Sequence, residues 1–260
     1  MSTNQMPAAV LSVLTVFTLA WRVMGTGALL WGNHPGGEIA NQLVDALVGV
    51  VFVAGAVYVW RVTRSGLAST LWLMALCIMF FTGRSPDLPQ GHLRTVDYMI
   101  RIGATFVGTS AFLDFVWACI RPAEEPPSAR LRLAIYSPAI VGFAAIVPVL
   151  FLSPKEHAWL VPIPQWVVLL VYAQGFVFQI LALILVARGR RRFPDLNPLF
   201  WIMAITVAGY FGVTIATKAA ASFEFPTGLG THPYAWLQVA LAVVMAWTVL
   251  QRPYTREFGQ

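Results

Sequence analysis

Eight apolar runs occupy most of this chain, at 8–31, 43–60, 66–82, 99–120, 133–153, 165–187, 199–221 and 234–250. Each is about 17–24 residues long. A helix of that length, rising 1.5 Å per residue, spans the ~30 Å of hydrocarbon in a bilayer. None of the runs has the short alternating pattern of a barrel strand. Lipid offers the backbone no hydrogen bonds, so runs like these satisfy themselves as helices. The sequence therefore predicts an all-α fold: a polytopic transmembrane helix bundle of about eight spans, one domain over residues 1–260. Composition agrees, because 58% of the residues are hydrophobic and 11% charged, against roughly 25% charged in soluble domains.

The connectors carry helix-breaking residues: NHPGG at 33–37, SPDLPQG at 85–91, EEPP at 124–127, FPDLNP at 193–198 and FPTGLGTHP at 225–233. Their basic residues set the orientation. Connectors two, four and six and the C-terminal tail hold Arg61, Arg64, Arg121, Arg130, Arg132, Arg188, Arg190, Arg191, Arg192, Arg252 and Arg256. Connectors one, three, five and seven hold Arg84, Arg94 and Lys155. This alternation is the positive-inside pattern of a plasma (inner) membrane protein with both ends in the cytoplasm. The neutral N-terminal segment leaves one alternative, a first run lying on the surface with seven helices crossing. MSTNQMPAA lacks the basic stretch of a secretory leader, and the run behind it exceeds leader length. The net charge of +6 does not point to nucleic acid, because the basic residues are dispersed between apolar runs and form no continuous face. They face anionic headgroups instead.

Ionisable residues inside a span are costly and are functional candidates by default. Asp114 is the deepest acid, roughly 9 Å before the cytoplasmic end of the fourth run. It reads either as a proton or cation site or as an acid hydrogen-bonded to neighbouring helices. Arg22, Arg101 and Lys218 fall in the outer half with Asp45 at similar depth, which suggests a polar vestibule for a small anionic ligand from outside. The alternative is that Arg101 and Lys218 reach the outer headgroups while Arg22 pairs with Asp45. Gln174 and Gln179 in run six and Tyr210, Thr214 and Thr217 in run seven either line a pocket or join helices by hydrogen bonds.

Other chemistry is argued against. His34, His92, His157 and His232 fall one in each outer connector, without the spacing of a metal site. No histidine within a span is available for haem. Lys218 is distant from Asp114, which disfavours a Schiff-base chromophore. Cys77 and Cys119 make no CxxC pair. P-loop, GxSxG and HExxH motifs are absent from the sequence. No catalytic residue, metal site or cofactor is assigned. Pro138 and Pro148 are expected to kink the fifth span. The endings FVWACIRP of run four and MAWTVLQRP of run eight hint at a four-plus-four repeat.

The stretch AGAVYVWRVTRSGLASTLWLMAL (54–76), a helix, a short basic turn and a helix, resembles the start of the seven-helix sensory regions that precede bacterial histidine kinases. The stretch RTVDYMIRIGATFVGTSAFLDFVWACIRP (94–122), with GRRRFP at 189–194, is similar to actinobacterial polytopic proteins described as transporters without established substrates. Neither resemblance implies catalytic residues at positions here. With a tail of about ten residues after the last run, a sensory role requires a separate partner protein. The leading expectation is a non-catalytic, receptor-like or regulatory bacterial membrane module. It would signal through a cytoplasmic partner contacted by Arg190, Arg191 and Arg192. A small-molecule or ion transporter and an accessory subunit of a larger membrane complex are the alternatives.

Overall fold

The computed structural model describes residues 8–30, 36–81, 92–121, 128–152, 165–219 and 233–251. Among them every regular element is helical. The α-helices are α1 (Ala8–Leu30), α2 (Gly36–Thr63), α3 (Gly66–Phe81), α4 (His92–Cys119), α5 (Ala129–Leu152), α6 (Gln165–Gly189), α7 (Asn197–Ala219) and α8 (Pro233–Gln251). A single 3-10 turn, Pro194–Leu196, leads into α7. Each helix coincides with one apolar run. Helices α2 and α4 extend several residues beyond theirs, because helical conformation does not stop where hydropathy does. Helix α5 continues through Pro138 and Pro148.

Among the described residues, three helices contain stretches long and apolar enough to cross a membrane: Ala46–Thr63, Met99–Cys119 and Ala129–Pro148. Shorter apolar stretches run over Ala8–Met24, Gly66–Met79, Ala173–Gly189 and Val239–Gln251. The exposed faces are apolar as well. Val13 and Val16 on α1, Leu47 and Val51 on α2, Leu133, Ile140 and Val141 on α5, and Trp201 and Ile205 on α7 all face outward. Hydroxyl groups are satisfied within their own helices. Thr15, Thr18, Thr63, Thr70, Thr105, Thr206 and Thr248 each donate to the carbonyl four residues earlier. That back-bonding spares a hydroxyl the need for water.

Helices α3 and α4 form the centre. α3 packs on α1, α2, α4 and α8, whereas α4 packs on α3, α5 and α6. Nearly every side chain from Leu71 to Met79 is buried. Close approach depends on small residues. A Cβ added to Gly108 would lie 2.9 Å from Cys77 Cβ, and one added to Gly142 would lie 2.8 Å from Phe106 Cζ. Helix α1 belongs to this packing: Leu11 and Thr18 are fully buried, and the Trp72 indole donates to Thr15 Oγ1 at 3.0 Å.

The printed contacts also fix relative directions. Gly103 meets Phe143, Phe106 meets Gly142, and Asp114 meets Arg132, so α4 and α5 are antiparallel. Gln174 meets Ser110 while Gly189 meets Ile120, so α4 and α6 run parallel. The α4–α5 and α6–α7 connections consequently lie at the same end of the bundle.

The α2–α3 turn shows how local chemistry starts α3. Arg64 has a left-handed backbone, φ 50°, and its N–H closes onto Trp60 O at 2.7 Å. Its guanidinium stacks 4.1 Å from the Trp60 ring centroid. Ser65 Oγ then accepts the Ala68 N–H at 3.2 Å, capping the first turn of α3.

If glycine permits the α3–α4 contact, Gly108→Val should lower stability by about 1–3 kcal/mol through overpacking. Adding Cys77→Gly should restore part of that loss, read from thermal unfolding of the detergent-solubilised protein. No restoration would contradict the contact.

Candidate functional site

Four hydrogen-bonding side chains follow along the middle of α4, Thr105 and Thr109 one turn apart and Ser110 and Asp114 one turn apart. Asp114 is 4% exposed. Its Oδ2 lies 3.5 Å from Arg132 Nε at the start of α5, and the Tyr136 hydroxyl, one turn further along α5, faces the same carboxyl. The Arg132 side chain is 25% exposed, so the pair connects the interior to the rim of the bundle. Asp114 Oδ1 is buried and accepts no hydrogen bond among the described residues.

Antiparallel register produces this pair. Asp114 precedes the α4–α5 connection by about the distance at which Arg132 and Tyr136 follow it. Ser128 fixes where α5 begins, with its Oγ accepting the Leu131 N–H at 3.2 Å.

One turn deeper, Gln174 of α6 packs on α4 at Phe106, Thr109 and Ser110. Its Nε2 donates to Phe106 O at 3.2 Å, Thr109 Oγ1 at 3.1 Å and Ser110 Oγ at 3.2 Å. Because Phe106 O can only accept, the amide orientation is fixed. Gln174 Oε1 then remains buried with no hydrogen-bond partner among the described residues. Gln174 thus ties α6 to α4, the helix-joining role considered for it from the sequence.

The other candidates do not gather here. Arg101 is half-buried near the start of α4, about 20 Å along the helix from Asp114. Arg22 is buried on α1. Asp45, Tyr210 and Lys218 lie in α2 and α7, but their side chains fall outside the described residues. The vestibule therefore rests on the sequence alone. His34, His157 and His232 also lie outside the described residues, as does the His92 side chain. Among the described residues no group of three or more His, Cys, Asp or Glu is placed to hold a metal ion.

Arg190, Arg191 and Arg192 form the α6–α7 turn. The Arg190 guanidinium stacks 3.8 Å from the Phe200 ring centroid, and Arg192 lies 5.5 Å from that of Phe193. Arg191 and Arg192 are exposed, whereas Arg190 is half-buried. The turn is seated on the core: Leu196 and Leu199 are fully buried. Gly189 approaches the end of α4 so closely that an added Cβ would lie 2.5 Å from Ile120 Cγ2. Sequence reasoning missed Arg132 and Tyr136 as the partners of Asp114, and Ile120 as the seat of the basic turn. Folding runs four and five into a hairpin about 120–128 would have aligned the first pair.

Comparison with known proteins gives no family model, no curated protein and no solved structure that matches this chain.

The pair at the α4–α5 junction makes a direct prediction. Arg132→Met should destabilise the fold by about 1–3 kcal/mol, less than a fully buried pair because Arg132 is partly exposed. Asp114→Asn in the same chain should recover most of it. A double-mutant cycle by thermal unfolding checks this; additive losses would show that the two side chains do not interact.

Proposed function

We propose that the chain is a multi-pass plasma (inner) membrane protein of receptor-like or regulatory type that acts without catalysis. It passes its state to a protein partner at the arginine-rich α6–α7 turn. The observation that carries this reading is the seating of that turn on α4. Ile120 presses on Gly189, and the same helix holds the buried polar groups Ser110 and Asp114. A change in the interior that shifts α4 would be felt at Arg191 and Arg192, which are exposed for contact. Orientation rests on the charge bias of the connectors, which assigns the basic turns to the cytoplasm.

A second reading, an ion or small-molecule transporter, is favoured by the buried Asp114 Oδ1, an acceptor without a hydrogen bond among the described residues. The two readings separate experimentally. In a signalling module, a photoreactive side chain replacing Arg191 crosslinks one defined protein in native membranes. Arg192→Ala removes most of that adduct while the protein remains folded and inserted. In a coupled transporter no such adduct forms, and proteoliposomes show solute uptake that Asp114→Asn abolishes.

A further inference from the structure

The Gly189–Ile120 contact places two arginines at neighbouring chain positions, because Arg121 and Arg190 each directly follow one of the contacting residues. Neither arginine points simply away from the end of the bundle. The Arg121 guanidinium folds back over Trp117, 5.3 Å from its ring centroid, one turn earlier on α4. Arg190 lies over Phe200 and 6.0 Å from the Trp201 ring centroid, on the first turns of α7. Stacking on a ring occupies the flat face of a guanidinium and leaves its N–H edge free to donate. A third donor is close by: the Trp117 indole N–H is buried and has no hydrogen-bond partner among the described residues. In sequence, the stretches 114–132 and 188–195 hold seven arginines against four acids, Asp114, Glu124, Glu125 and Asp195. The chemistry that complements this set is an anion that accepts several hydrogen bonds.

The surroundings narrow the anion further. Trp201, 60% exposed, and Ile205, 51% exposed, form an outward apolar strip on α7 that begins beside Arg190. A free phosphate has nothing to place there, whereas a phospholipid has acyl chains.

We propose that Arg121, Arg190 and the Trp117 N–H form a binding site for the phosphate of an anionic phospholipid, whose acyl chains lie along Trp201 and Ile205. The site rests on the membrane reading above. It is separate from the partner surface, which uses the exposed Arg191 and Arg192. A bound phosphate would bridge the end of α4 and the α6–α7 turn.

The test uses the full chain in nanodiscs of mixed phosphatidylglycerol and phosphatidylcholine, with retained lipid counted by native mass spectrometry. Wild type should retain phosphatidylglycerol in preference to phosphatidylcholine. Arg121→Ala and Arg190→Ala should each reduce the preference about fivefold, as one basic charge at a membrane surface would. Trp117→Phe, which keeps the ring under Arg121 and removes the N–H, should reduce it by less. Val16→Ala, on the outward face of α1, should leave it unchanged. Excess inorganic phosphate should not displace the lipid. Equal retention of both lipids, a preference indifferent to both Arg121→Ala and Trp117→Phe, or displacement by phosphate overturns the proposal. Failure to enter nanodiscs at all overturns the membrane reading with it, whereas insertion without lipid preference overturns this site alone.

Discussion

The constraint behind this fold is that along the helices many exposed side chains are as apolar as the buried ones. Val16 and Ile140 face outward while Leu71 and Val116 face inward. When the surroundings are as apolar as the interior, burial of hydrocarbon ceases to hold helices together. Association then depends on close backbone approach and on hydrogen bonds between helices. Both are present where the helices are packed most tightly. Gly49 fits against Met79, Gly103 against Phe143, Gly108 against Cys77 and Gly142 against Phe106. Trp72 reaches Thr15, and Gln174 reaches the α4 hydroxyls.

Helix α4 draws these devices together. It takes tight glycine contacts from α3 and α5, hydrogen bonds from Gln174 of α6, and the ion pair from Arg132 of α5. Its last residues then press on the arginine-rich turn. A helix with so many specific neighbours has few ways to shift without moving several of them together. This gives physical content to the idea that an event near Asp114 is communicated to the α6–α7 turn. On the proposed signalling reading, the burial of Leu196 and Leu199 and the seating of Gly189 are what would couple the arginines to the core.

The helices were legible in the sequence because length and hydropathy alone specify them. Each apolar run became one helix, and the basic residues mark the α2–α3, α4–α5 and α6–α7 connections. Asp114 was legible as an anomaly, since a carboxyl inside an apolar run is conspicuous without any structure. Its partners were not, because Arg132 and Tyr136 become neighbours through hairpin register, and hydropathy carries no register. Gln174 showed as a polar group within a span, but its choice of α4 over α7 depends on which helices touch. The seating of Gly189 on Ile120 was hidden for the same reason. A glycine before an arginine run looks like an ordinary helix end until the neighbouring helix is in place.

On the proposed reading the helix bundle lies in lipid with its arginine-rich turns on the cytoplasmic side. Single cysteines at 64 and 191 in the basic turns, and at 87 and 157 in the outer connectors, test it most directly in a background lacking Cys77 and Cys119. A membrane-impermeant thiol reagent added to intact cells should modify positions 87 and 157 and spare 64 and 191 until the membrane is opened. Equal modification of all four in intact cells, or a folded protein recovered from plain buffer without detergent, would contradict it.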